Sequence, residues 1–536
     1  MAGTADEKAR GAFFTPEAIA DYLAGWAIRG PGDRVLEPSC GEARFLLSAG
    51  ARLRAFGGRP RWRAQLQGIE IHAASAAAAA HRLKAAGMPG QIRTGDFFLD
   101  PPGASYDVIL GNPPFIRYQD FTGAARARSL EAALAQGVRL SGLASSWAAF
   151  VIRAAEHLAP EGRLALVLPA ELLSVGYAAE VRRFLLRRFA RLRLVAFEER
   201  VFPGVLEDVV LLLAEGSGGA SGFELRQTRN AATLAGDDRG WTSYAPGEGE
   251  KWTPALMAEG AFAAYEAVRG LACEPLGTWG RTYLGAVTGA NGFFALTATE
   301  ARGLPAADLL PISPPGARHL RGLAFTAEDW RAAVAAGARA QLFRPRDRLS
   351  AAARRRVAAG EAAGVATAYK CRVRAPWWQV PLVEVPDLFL TYMNHDRPRL
   401  VANHAGVQIL NSLYGVRLAE DRRDTGRALL PLACLNSVTL LGAEVVGRSY
   451  GGGLLKLEPR EADTLPVPSL AVVTREADRL AALRPKVEAA LAAGAIEAAT
   501  ALVDPVLFGA ADLTALRLAR EMLFRRRRTR GGNGTH

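Results

Sequence analysis

The sequence predicts an α/β fold in its N-terminal part, a doubly wound and mostly parallel sheet, with a second domain of mixed α+β structure behind it. Three observations predict this. Short apolar runs alternate with helical stretches between about residues 11 and 216, the rhythm of strands joined by crossover helices. The polar features lie at or just after the ends of those runs, where such sheets bind ligands. Past the Gly/Ser-rich stretch 216–222 the rhythm stops, and aromatics, prolines and arginines take over up to about residue 470.

Residues 34–37 predict a strand ending in a turn, 65–71 a second strand, and 72–86 an alanine-rich helix closed by Gly87. A third strand, 106–110, runs into Gly111-Asn112-Pro113-Pro114. A helix is expected over 147–158, a strand over 162–168 ending at Pro169, and a closing pair of strands over 192–197 and 208–214. The expected domains are 1–235, 236–470, and a helical C-terminal segment 471–536. That last segment carries the basic run Arg525–Arg528 before a glycine-rich tail expected to be disordered. A chain of 536 residues suits two or three domains, and no repeat of 20–50 residues is visible.

Composition narrows the function. Lys and Arg number 66 against 53 Asp and Glu, a net charge of +13, which favours a polyanionic partner. No apolar run approaches the roughly 18 residues of a membrane span. The N-terminus has no apolar leader core, so a cytoplasmic protein is expected. Cys40, Cys273, Cys371 and Cys434 form no CxxC pair, which excludes a disulfide framework or zinc ribbon as the organising device. The histidines have no ligand spacing, and no metal is expected.

Asn112-Pro113-Pro114-Phe115 follows a buried strand. Two prolines fix the backbone and remove two N–H donors, leaving carbonyls and the Asn side-chain oxygen to accept. Such a cluster suits an amino group conjugated to an aromatic ring, a poor nucleophile until two acceptors localise its lone pair. Phe115 offers a face on which the ring stacks. Alone, the motif has a second and weaker reading, a Pro-Pro turn after a strand with an incidental Asn. Glu37, ending the first strand in Glu37-Pro38-Ser39-Cys40-Gly41, would repel a phosphate and suits an ammonium. Only Gly41 stands where a dinucleotide fingerprint needs three glycines, so a nicotinamide cofactor is disfavoured. Glu70, ending the second strand, is placed to hold ribose hydroxyls. Asp96 is suited to an adenine amino group and Phe97 to stacking on the base. Each acid alone reads as a solvated loop charge. In this order at strand ends they spell S-adenosyl-L-methionine.

These residues resemble the N6-adenine DNA methyltransferases of the gamma order, which include many type II restriction–modification methylases. The resemblance covers roughly residues 11–216. It implies a Rossmann-like S-adenosylmethionine-dependent methyltransferase domain followed by a C-terminal target recognition domain. Ala12-Phe13-Phe14-Thr15-Pro16 is similar to the N-terminal cofactor motif, with Thr15 touching the methionine part. Glu37, Ser39 and Gly41 match the main cofactor motif, Glu70 the ribose acid, and Asp96 and Phe97 the adenine pocket. Asn112, Pro113, Pro114 and Phe115 match the catalytic tetrad, with Phe in place of the commoner Tyr. Val201-Phe202-Pro203 is similar to the late motif whose ring packs on the flipped base, so Phe115 and Phe202 would clamp it. The implied reaction is adenine-specific, site-specific DNA methylation: the adenine amino nitrogen takes the methyl group, giving N6-methyladenine.

In the second domain, Arg372, Arg374, Asn394, Arg397 and Arg399 are candidates for contact with double-stranded DNA. Residues 284–296 and 374–378 are similar, more weakly, to segments of such domains. The arginines at 344, 346, 348 and 354–356 suit phosphates, although 351–357 reads equally as an exposed helix. The run Arg525–Arg528 reads as a solvated tail that adds non-specific phosphate affinity. A separate cognate restriction endonuclease is the implied partner, and monomeric action the expectation. The alternative substrate is RNA or a protein glutamine, whose amide poses the same electronic problem. A DNA-binding subunit with a decayed site is disfavoured by the intact tetrad.

Overall fold

The structure is a computed structural model that describes residues 15–57, 60–101, 105–202, 208–234, 239–247, 249–450 and 452–531, with side chains to 528. The chain divides into two compact units. The first takes Met1–Glu259, Gly451–Gly453 and Arg525–His536, and the second Gly260–Tyr450 and Leu454–Phe524.

The first unit is built on one sheet with nine strands among the described residues: β1 (Val35–Pro38), β2 (Leu66–Glu70), β3 (Gln91–Thr94), β4 (Tyr106–Gly111), β5 (Leu158–Pro169), β6 (Arg191–Phe197), β7 (Val209–Glu215), β8 (Phe223–Thr228) and β9 (Trp241–Tyr244). Their order is β3-β2-β1-β4-β5-β7-β6-β8-β9. The first five are parallel and β7 runs antiparallel to both β5 and β6. Interior strands such as β7 are continuous apolar runs because both faces are covered. Helices α1 (Glu17–Ala27), α2 (Arg44–Ala55), α3 (Ala73–Ala85), α4 (Gly123–Ala135), α5 (Ser146–Glu156) and α6 (Ala179–Arg188) connect or flank them. In α1, Ile19, Ala20, Leu23, Ala24 and Ala27 are buried, one stripe at helical spacing. Gly87, at φ 70°, stops the alanine-rich α3.

From β1 the chain winds outward through β2 to β3, then crosses back to lay β4 on the other side of β1. The carboxyl ends of β1 and β4 thus flank the switch point, the crevice where open α/β sheets take their ligands.

The second unit holds a five-stranded sheet of Gly280–Leu284, Tyr414–Leu418, Leu388–Leu390, Leu400–Asn403 and Ala324–Phe325, in that order. Helices Arg423–Ala433, Ser437–Val446, Ala477–Ala492 and Ile496–Phe508 share its main core. A smaller core lies around the three-stranded sheet of Ala295–Leu296, Gln341–Phe343 and Leu309–Pro311 and the helix Ala351–Ala362.

The boundaries differ from those expected. The division falls at 259/260, not 235/236, because β9, beyond the expected boundary, still pairs into the first sheet. Residues 471–524 are not a separate segment: Leu480, Val487, Leu491, Val503 and Leu507 complete the second unit's core. The basic run is no solvated tail either. Helix Thr514–Gly531 passes through it, and Arg526 and Arg527 are 8% and 3% exposed. The glycine-rich tail from 532 lies outside the described residues. Among the described residues no single helix is long and apolar enough to cross a membrane. The bent pair that passes the length and composition test together, Glu420–Ala433 with Ser437–Val446, contributes to the second unit's core.

Candidate active site

The turn after β1 is backbone-strained. Ser39, Gly41 and Ala43 have φ of 64°, 50° and 63°. Two of these are not glycine, and each such left-handed residue costs about 1–2 kcal/mol, a strain typical of ligand clamps. Hydrogen bonds hold the turn: Cys40 N donates to Ile69 O at 2.9 Å, and Gly41 N to Glu70 Oε2 at 2.9 Å. The other Glu70 oxygen accepts from His72 N at 2.9 Å. Glu37, 3% exposed, accepts from Leu46 N at 3.0 Å in the first turn of α2, where the helix end favours an anion. Burial pushes the Glu37 carboxyl well above the usual range, the Leu46 and Phe45 amides pull it down, and the nearby Glu70 charge pushes it up.

Asp96 follows β3. Its Oδ1 accepts from Phe98 N at 3.0 Å. Its Oδ2 accepts from Arg128 of α4 through Nε at 3.0 Å and Nη2 at 2.8 Å. Phe97 does not present its ring as expected. It is 3% exposed, stacked on Phe150 at 5.5 Å and tilted against His157 at 5.2 Å.

β4 brings the second turn alongside the first. A Cβ placed on Gly111 would lie 3.6 Å from Glu37 Cγ and 3.7 Å from Pro38 O, so about one methyl group separates the two strand ends. Asn112 Nδ2 donates to Thr15 Oγ1 at 3.3 Å. Phe115 is half-buried against the first unit's core, and Phe202, 3% exposed, is part of that core. Phe202 therefore leaves almost no exposed ring for the expected clamp. Phe13, Phe14 and Pro203 lie outside the described residues. Sequence reasoning missed the partners Arg128 and Ser146. Ser146 begins α5, and it accepts from Ile116 N at 2.9 Å through Oγ and donates through the same oxygen to Pro114 O.

In the second unit the expected DNA contacts separate. Only Arg372 is exposed, its guanidinium 5.9 Å from the Tyr369 ring. Arg374 donates to Thr288 O at 2.8 Å and to Val287 O. Asn394, 4% exposed, is bonded to Thr391 through both ends of its amide. Arg397 is 6% exposed, and burial lowers its guanidinium pKa to about 10. Arg399 donates to Ala317 O at 3.2 Å, to Leu320 O at 3.4 Å and to Asp396 at 3.4 Å. Four of the five candidates thus hold backbone or local turns; they do not form a reading surface. Arg356 likewise lies 4.8 Å over Phe293 and donates to its carbonyl, whereas Arg354 and Arg355 are exposed on the same helix.

The fold and the paired turns at its switch point define a Rossmann-like methyltransferase with a large C-terminal unit. Two family models match in succession, N-6 DNA Methylase over residues 1–216 and the C-terminal domain of Type II methyltransferase M.Eco57I over 249–508. The chain is 27% identical over 478 residues to Type II methyltransferase M.XamI of Xanthomonas campestris pv. amaranthicola, covering 86% of this chain and 85% of that protein. It is 20% identical over 370 residues to Type II methyltransferase M.AccI of Acinetobacter calcoaceticus, covering 66% and 68%. The solved structure of the Type IIL restriction-modification enzyme MmeI in complex with DNA shares the fold, with a TM-score of 0.57 and 13% identity over 96% of this chain and 75% of that one. The two model matches and the Type II methyltransferase relatives together support a DNA adenine methyltransferase of the restriction–modification kind.

Proposed function

We propose that the chain is an adenine-specific, site-specific DNA methyltransferase, the modification component of a restriction–modification system. It would move a methyl group from S-adenosyl-L-methionine to N6 of an adenine flipped out of duplex DNA. The observation that carries the reading is the adjacency of β1 and β4, which sets the Glu37–Gly41 and Asn112–Phe115 segments at neighbouring carboxyl ends of the sheet, with Gly111 close to Glu37 and Pro38. The donor set fits the cofactor: two buried carboxylates suit an ammonium and a hydroxylated ribose, and they would repel a polyphosphate. Glu37 would hold the ammonium, Glu70 the ribose hydroxyls, Asp96 the adenine amino group, Thr15 the methionine end, and Ser39 and Gly41 the adjoining backbone contacts. When bound, the cofactor supplies an activated methyl group.

The chain's own residues do the rest. Asn112 Oδ1 and Pro113 O accept from the two amino hydrogens of the target adenine and localise its nitrogen lone pair. Acceptors held in place before the base arrives would need little reorganisation. Phe115 stacks on the base, an interaction worth about 1–3 kcal/mol. Arg372, beside Tyr369, is the remaining DNA-facing candidate of the expected set.

The test is methyl transfer from labelled S-adenosylmethionine to unmethylated genomic DNA, followed by mapping of N6-methyladenine. Label at one short motif is the expected result, with Asn112→Ala slower by about 10²–10³-fold, the usual loss for one preorganised polar contact. Label in RNA or on protein glutamine and none in DNA would overturn the substrate assignment.

A further inference from the structure

Resting on the DNA adenine methylation reading, we propose that Ser146 is the positioning residue that sets the catalytic turn. Pro113 and Pro114 have no N–H, so the turn lacks two of the donors by which a loop usually locks itself. The lock comes from the start of α5. Ser146 is 1% exposed. Its backbone N–H, one of the donors a helix leaves unsatisfied in its first turn, donates to Ile116 O at 3.0 Å. Its Oγ accepts from Ile116 N at 2.9 Å and donates to Pro114 O.

These three bonds grip the residues on either side of Phe115. The grip is as rigid as the helix end that makes it, because the neighbouring Trp147, fully buried, donates through Nε1 to the Tyr177 hydroxyl at 3.0 Å. Asn112, at the other end of the turn, is tied to Thr15. The Ser146 hydroxyl uses its one proton and a lone pair within the clamp, so it acts through the turn and not on the substrate.

The experiment compares wild type, Ser146→Ala, Ser146→Thr and Ser146→Val as full-length chains. Single-turnover methyl transfer is measured on unmethylated genomic DNA, alongside S-adenosylmethionine affinity by calorimetry and melting temperature. Ser146→Ala is expected to transfer about 10²-fold more slowly, the scale of a 1 Å misplacement, with cofactor affinity unchanged. Ser146→Thr, which keeps the hydroxyl, recovers most of the rate. A Ser146→Ala rate equal to wild type overturns the proposal, as does a loss that follows cofactor affinity. If the alanine variant does not fold, Thr and Val fill the same volume with and without the hydroxyl, and equal rates for those two overturn it as well. Wild-type protein that labels no DNA would overturn the methylation reading itself, a result separate from all of these.

Discussion

At Glu37, folding and ligand binding pull in opposite directions. Its carboxyl is buried and its pKa is raised above the ordinary 4.5 by that burial. A carboxyl whose pKa rises on folding contributes stability fully below the unfolded value, and that contribution is lost as pH climbs through the folded value. At neutral pH Glu37 therefore costs stability that an uncharged side chain in its place would not. Glu37→Gln should melt higher than wild type at neutral pH, by roughly 2–4 °C per kcal/mol relieved, and the gap should close in acid. Melting scans across that range check the sign, and a variant that melts lower at neutral pH contradicts it. The same variant should bind S-adenosylmethionine more weakly. Residues such as Glu37, Glu70 and Asn112 were legible in the sequence because the chemistry restricts their types and the strands fix their places. Ser146 and Arg128 were not. Each reaches a partner about 30 residues away, and a bond to a backbone carbonyl or to a lone carboxylate leaves no pattern of residue types.

Among the elements, periodicity revealed β1, β2, β4, β5 and the β6–β7 pair, and it missed β8 and β9 as well as β3. That strand is Gln91-Ile92-Arg93-Thr94 at the sheet edge, without a fully buried residue, so it carries no apolar run. The second unit was illegible for another reason. Its strands are two to five residues long, too short for alternation to show. The difference matters for the arginines. Arg372 is the exposed last residue of the short helix Tyr369–Arg372, and Arg374, two residues on, caps the carbonyls of Val287 and Thr288. Arg372→Ala should weaken duplex affinity by a few fold and leave the melting temperature alone. Arg374→Ala should destabilise the unit by about 1–3 kcal/mol, the cost of leaving buried polar groups unpaired. Paired DNA titrations and denaturant melts separate the two. Equal effects on affinity and stability in both variants would contradict the assignment.

Over the whole molecule, the division into units depends on packing that composition does not announce. The alanine- and leucine-rich C-terminal helices read as an appendage, yet Leu480, Val487 and Val503 are fully buried in the second unit's core. Each large apolar side chain buried contributes about 1.5–3 kcal/mol, so removing several would exceed the 5–15 kcal/mol by which a domain is stable. A chain ending at residue 470 should fail to fold its second unit, seen as loss of cooperative melting and of protease resistance beyond residue 260. A truncated chain that melts cooperatively would show that the helices are dispensable.

The inward-turned arginines bear on how this protein meets a polyanion. Its formal charge is +13, but Arg374, Arg397, Arg399, Arg526 and Arg527 sit within the units, bonded to carbonyls or neighbouring side chains. Counterions condensed on a phosphate are released only where a cation of the protein reaches it. The ionic-strength dependence of binding therefore follows the outward arginines and not the sum over the sequence. Retention on a heparin column is set by that smaller set.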